Sequence, residues 1–239
     1  MLKRNMILLF AFAAIAGSIN AQVRPGIKLG YNLSGVMANY LGDTPSTSMG
    51  NPDNFRMKSG FQAGLIADCP INNVLAIQPG ARFALQGFSD KYDKGKKLRS
   101  FSMYYLQIPV NVQCRWKVYE ETNVLFQAGP YIGFGLFGQQ AYHKGGSSQK
   151  LDDKHKKITF GNGKGYDVQN FLDYGVGAGV GIEFYRFQLM LAYDFGLNQP
   201  TFYKNAQDLL YNIDMRNHNF SVTLAFIFGR KDPLQNQKD

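Results

Sequence analysis

The sequence predicts an all-β fold: an eight-stranded antiparallel up-and-down transmembrane barrel with long extracellular loops and short periplasmic turns. Three observations carry this. The first is a strict two-residue period. From Tyr104 to Lys117, the residues Tyr104, Leu106, Ile108, Val110, Val112, Cys114 and Trp116 share one face, and Tyr105, Gln107, Pro109, Asn111, Gln113, Arg115 and Lys117 share the other, a pattern that no 3.6-residue helix can display. The second is that connections between such segments alternate between long and short. The third is that the 239 residues are 45% hydrophobic and 18% charged, yet beyond residue 21 no apolar run reaches the ~18 residues of a membrane helix.

Taken in chain order, residues 1–21 are expected to be a cleaved export signal. Lys3 and Arg4 form its basic start, Met6–Ala16 its apolar core, and Ala21 before Gln22 its cleavage point. The barrel is then assigned to 22–239. Its strands fall at about 24–36, 58–70, 74–87, 100–117, 124–138, 170–184, 187–196 and 218–229, with a polar tail over 230–239. Within the first strand Ile27, Leu29, Tyr31 and Leu33 alternate with Lys28, Gly30, Asn32 and Ser34; within the last, Phe220, Val222, Leu224, Phe226 and Phe228 share a face. Long polar connections cover 37–57, 88–99, 139–169 and 197–217. Short ones lie at Ile71–Asn73, Val118–Asn123 and Tyr185–Arg186. An even strand number with long loops on one side and short turns on the other suits an outer-membrane barrel.

The apolar face of these segments is almost free of charge, whereas the opposite face carries Gln, Asn, Arg, Lys, Asp, Glu and Gly. A soluble barrel would bury the apolar face. Here that face is wide and continuous and in water would invite aggregation, so lipid is its expected solvent. Tyr31, Tyr104, Trp116, Phe184, Phe195 and Phe228 lie near strand ends, where interfacial aromatic girdles belong.

The polar face must then fill a narrow lumen. Gly175, Gly177, Gly179 and Gly181, with Gly129, Gly133 and Gly135, strip one wall of side chains and leave room for Lys28, Arg82, Tyr105 and Arg115 to cross. Inward charges are expected in two layers. Lys28, Asp68, Arg115, Lys117 and Glu183 form the periplasmic one; Arg82, Asp173 and Asp194 lie nearer the middle or outer end. Isolated buried charges cost several kcal/mol each, so pairing is expected: Arg82 with Asp194 or Asp173, and Arg115 with Glu183 or Asp68.

With the strands laid out, the chain resembles the small outer-membrane β-barrel domain family known as PorT-like or "porin family". The resemblance rests on Asn20-Ala21-Gln22, Gly26-Ile27-Lys28-Leu29-Gly30-Tyr31-Asn32, Gly60-Phe61-Gln62-Ala63-Gly64, Tyr105-Leu106-Gln107-Ile108-Pro109-Val110, Ala128-Gly129-Pro130-Tyr131-Ile132-Gly133 and Tyr174-Gly175-Val176-Gly177-Ala178-Gly179. It covers essentially all of 22–229 and implies the fold and an outer-membrane location; separately, the last-strand row Val222, Leu224, Phe226 and Phe228 looks like a signal read by barrel-assembly machinery, the expected partner during insertion. The resemblance implies no catalytic residue and no cofactor.

Motifs that could carry chemistry lead elsewhere. Gly133-Phe134-Gly135-Leu136-Phe137-Gly138 spells GxGxxG but opens no helix in this reading, so nucleotide binding is not expected. His143, His155 and His218 sit in loops or at a rim, and neither catalysis nor a metal site is assigned to them. Cys69 and Cys114 are separated by one strand, about 9.5 Å of sheet, too far for a disulfide. Basic residues crowd two loops. Lys94, Lys96, Lys97 and Arg99 in one, and Lys154, Lys156 and Lys157 in the other, are candidates for lipopolysaccharide phosphates; nucleic acid is an unsuitable partner for an exported barrel. The 139–169 loop is the expected principal external contact surface, and Ile158–Gly163 could form an extra hairpin within it.

The expected function is therefore non-enzymatic: structural, adhesive, or linked to assembly or secretion with a partner not yet identified, around a side-chain-filled lumen. A narrow solute pore and a lipid-acting enzyme are the alternatives.

Overall fold

Alternation with one apolar and one polar face produces strands whose two sides meet different solvents, and only closure relieves such a sheet of its edges in lipid. A computed structural model describes residues 23–40, 55–92, 97–144, 155–161, 168–169, 171–198, 201–202 and 213–229. The expected export signal, the expected polar tail and the middle of each long connection lie outside the described residues. Eight long strands build the wall: β1 (Arg24–Tyr40), β2 (Phe55–Pro70), β3 (Leu75–Tyr92), β4 (Lys97–Tyr119), β5 (Thr122–Lys144), β6 (Leu172–Phe184), β7 (Phe187–Gly196) and β8 (Ile213–Ile227). Each pairs antiparallel with its sequence neighbours, and β1 pairs with β8, so the barrel is closed.

Following the ladder from Arg24 once round the wall passes Asp68, Gln78, Asn111, Gly129, Gly177, Asp194 and Asn219. It returns to β1 at Ser34, ten residues on from Arg24. Strands about 4.8 Å apart, rising about 3.3 Å per residue, turn that climb into a tilt of about 41° and a wall radius of about 8 Å. A radius of that size lets an arginine reach the opposite wall, and leaves no aqueous bore once side chains fill it.

The outward face carries exposed Leu29, Phe61, Leu65, Ile108, Val112, Val180, Leu189 and Leu224, bounded by aromatics that include Tyr31 above and Trp116, Phe184 and Phe228 below. Inward positions are buried and polar: Asn32, Gln62, Gln78, Gln107, Gln113, Gln188, Ser221 and Thr223. This inversion of the soluble pattern is what a lipid solvent demands. The turn at Ile71–Val74 is held by Asn72, whose Oδ1 accepts the Val74 and Leu75 N–H groups at 2.8 and 2.7 Å. The β6–β7 corner is only Tyr185-Arg186, with Tyr185 at a left-handed φ of 51°.

Several expected boundaries are corrected. β3, β5 and β8 run five or six residues farther outward than the alternation indicated, β4 three, and β1 reaches Tyr40. Beyond the lipid both faces meet water, so pairing continues after the hydropathy pattern has ended. Residues 155–158 lie antiparallel on Gly138–Ala141 of β5, while 160–161 pairs in parallel with 168–169, which in turn pairs with 201–202. The hairpin anticipated at Ile158–Gly163 is therefore replaced by two segments with different partners. β5 also carries a bulge. Tyr105 faces Gly135 but Tyr104 faces Phe137, and the consecutive Leu136 and Phe137 are both outward, 47% and 50% exposed.

Candidate functional site

The wall brings its inward charges together in two layers. At the periplasmic end, β1 supplies Arg24, β2 Asp68, β4 Arg115 and β6 Glu183. Asp68 is fully buried and shared by two guanidinium groups: Arg24 Nε donates to Asp68 Oδ2 at 2.9 Å, and Arg115 Nη2 pairs with Oδ1. Arg115 Nε also lies 3.8 Å from Glu183, and its guanidinium donates to Gln113 Oε1 at 3.2 and 3.0 Å. Glu183 in turn accepts from Asn123 and Gln188, each at 2.8 Å. Two cations face two carboxylates, and the layer is neutral.

In the middle layer β3 supplies Arg82, which donates Nη2–H to Asp194 Oδ2 on β7 at 2.6 Å and Nε–H to Gln107 Oε1 at 2.8 Å. Asn219 Nδ2 adds a 3.2 Å bond to Asp194. Gly177 makes this possible, because a Cβ there would stand 2.5 Å from Asp194 Oδ1. Asp173 forms no ion pair with an arginine among the described residues; the Tyr131 hydroxyl donates to it at 3.4 Å. Lys28 is displaced from its expected place. Its rung runs through Gly64 to Arg82, and it lines a mid-lumen cavity with Arg82 and Asp194 rather than joining the periplasmic layer. Lys117 is exposed, not in the lumen.

The outer mouth is closed by apolar side chains. Val36, Phe88, Met103 and Tyr105 form a buried cluster with Phe55, Phe101 and Phe160 packed on it. Phe88 stacks on Phe101 at 4.6 Å, and Phe160 meets Tyr105 edge-on at 6.0 Å. Phe160 belongs to the third long connection and turns back into the barrel. It sits over Gly135, where a Cβ would lie 2.6 Å from its ring. Lys58 bridges nearby, donating to Ser100 and Ser102 at 2.7 and 2.6 Å.

Of the residues singled out from sequence, Asp68, Arg115 and Glu183 are brought together, as are Lys28, Arg82 and Asp194. Arg24 escaped notice, although its parity with Gly26 and Lys28 is the same inward parity. Phe160 left no signal, since its partner strands are distant in sequence. Among the basic candidates, Lys94, Lys96 and Lys154 lie outside the described residues. Lys97 and Arg99 are in β4 rather than in a loop, on rungs with Lys144 and Tyr142; Lys156 and Lys157 are on the 155–158 segment opposite Gln140 and Gln139. His143 lies opposite Leu98, His155 opposite Ala141 and His218 opposite Gly35, so each belongs to a strand. Among the described residues no group of three metal-ligating side chains forms. Gly133–Gly138 lies wholly within β5, and Cys69 and Cys114 are both free.

Among solved structures the chain is similar to Ail, the attachment invasion locus protein of Yersinia pestis, at 12% identity over 86% of this chain and 99% of that one, with a TM-score of 0.38. It is similar to Neisserial surface protein A at 12% identity over 85% and 97%, with a TM-score of 0.41. OprG of Pseudomonas aeruginosa matches at 9% identity over 87% and 97%, with a TM-score of 0.44. No curated protein matches the sequence. The model of the outer membrane protein beta-barrel domain family matches residues 16–201. The closed barrel with its lipid-suited exterior, and that match over more than half the chain, make this protein a member of the outer membrane protein beta-barrel domain family, resident in the outer membrane.

Proposed function

We propose that this protein is a non-enzymatic outer-membrane barrel whose lumen is a packed strut rather than a passage, and whose work is done by its extracellular ribbons. The observation that carries this reading is the occlusion of the lumen at three levels: the Arg24–Asp68–Arg115–Glu183 layer, the Arg82–Asp194 pair and the Phe160 cluster. Solute would have to break charge-assisted bonds and an apolar seal to pass. Outside the membrane, the outer ends of β3, β4 and β5, with 155–158 laid alongside, carry basic residues such as Lys97, Arg99, Lys156 and Lys157. Those residues suit phosphate groups of lipopolysaccharide, which supports a structural, adhesive or assembly-linked role at the surface. Within the family, the Gly26–Asn32 and Tyr105–Val110 motifs support a PorT-like placement. The outward row of Val222, Leu224, Phe226 and Phe228 supports reading of the last strand by barrel-assembly machinery.

Single-channel recording in planar bilayers tests the reading. The wild-type barrel should pass no steady current. A stable, ohmic conductance would overturn it in favour of a narrow solute pore.

A further inference from the structure

At the middle level, beside the Arg82–Asp194 pair, the lumen holds a cavity. It measures about 30 Å³ and is lined by Lys28, Arg82, Asn111, Asp194, Ser221 and Thr223 among others, room for about two water-sized occupants. Its lining holds two cations against a single carboxylate. Asp194 is already engaged by Arg82 at 2.6 Å and Asn219 at 3.2 Å. Lys28 makes no hydrogen bond or ion pair with any described residue. A charge enclosed by protein without a counter-charge is costly, and a partner of opposite sign removes that cost.

The rest of the lining offers what such a partner needs. Asn111, with a side-chain amide, and Thr223, with a hydroxyl, are part of the lining. Ser221 is 1% exposed, and its Oγ has no hydrogen-bond partner among the described residues; Gln78 Oε1 and Gln127 Oε1, also at the lining, are likewise unmatched. Hydroxyls donate to an anion, side-chain amides do so through N–H₂, and a water beside the ion can donate to the unmatched amide oxygens. The glycines of β5 and β6 facing this level, Gly129 and Gly177, keep the space open.

We infer that the mid-lumen cavity is a binding site for one small monovalent anion, of which chloride is the physiological example, held by Lys28 with Asn111, Ser221 and Thr223 and accompanied by water. The ion gives Lys28 the contacting counter-charge that the cavity lining does not supply, as Asp68 does for Arg24 and Arg115 in the periplasmic layer. The site is too small for phosphate or sulfate with a hydration shell, so selectivity is by size and single charge.

The test uses the full barrel refolded into detergent in sodium bromide or sodium gluconate at equal ionic strength, bromide being the probe and gluconate too large to enter. Bromide should raise the unfolding temperature by about 3–6 °C at ten times its dissociation constant, and Lys28→Met should abolish that difference. Crystals grown in bromide should show an anomalous peak within hydrogen-bond reach of Lys28 Nζ. Equal unfolding temperatures in the two salts, a cavity holding water without an anomalous peak, or a full bromide effect persisting in Lys28→Met would each overturn the inference. Should Lys28→Met fail to fold, the anomalous peak in the wild-type barrel decides, with Asn111→Ala as the second variant expected to weaken bromide stabilisation.

Discussion

The periplasmic and middle layers of the lumen use the same residue types and reach different solutions. Below, Asp68 is wedged between Arg24 and Arg115, and Glu183 collects Arg115, Asn123 and Gln188, so that every charged group is matched within the wall. Above, Arg82 and Asp194 form a single pair braced by Gln107 and Asn219, and Lys28 faces a cavity. The shared carboxylate of Asp68 makes the lower layer a lock; the upper one has a cavity beside a cation, Lys28, that no carboxylate among the described residues contacts. The contrast shows that packing charge into a narrow barrel is a matter of which groups touch and not of count alone.

The largest effect is expected where one group serves two partners. Asp68→Ala leaves two buried guanidinium groups without their carboxylate and should cost about 3–5 kcal/mol, read as a fall in the urea midpoint of folding into detergent; Asp68→Asn should recover only part of it. Arg82→Ala strands Asp194 beside Asn219 and should cost about 2–3 kcal/mol, less than the lower layer because water in the cavity can replace part of the lost donation. An equal loss in both variants would erase the distinction between the layers. Phe160→Ala should cost about 1–2 kcal/mol, since the ring is only half-buried, but it should raise the frequency of brief current steps because the outer seal is thinned. Lys157→Ala should leave stability within about 0.5 kcal/mol, and its only expected consequence is weaker retention on immobilised lipopolysaccharide, lost at high salt.

How much of this was legible depends on which solvents a segment meets. The central rungs were readable because lipid on one side and a packed lumen on the other force alternation; hence Tyr104–Lys117 displayed its strand openly, and the inward parity of Arg82, Arg115, Glu183 and Asp194 followed. Which carboxylate each arginine reaches was left between two choices, because that depends on the ten-residue climb round the wall, a property of pairing rather than of any one strand. Lys28 was assigned to the wrong level for the same reason. The outer ribbons were hidden since water on both sides removes the pattern, and Phe160 was hidden because its burial depends on Gly135 and Tyr105, far away in the chain.

The ladder breaks register at three places, between Met57 and Gln62, between Tyr104 and Tyr105, and between Lys117 and Tyr119. The second falls just past the last β5–β6 rung, Phe134 with Leu172. The first two lie in the outer half of the wall and the third at the β4–β5 turn, and the rungs between them run without a slip. A closed wall must return to its starting strand after an even number of residues, or every side chain beyond the seam would exchange lipid for lumen. An extra residue gained in the course of descent can therefore be kept only where a bulge absorbs it before it reaches the spanning rungs. A single residue can therefore be added or lost within a strand only together with a bulge that restores the parity of the rungs beyond it, as at Leu136.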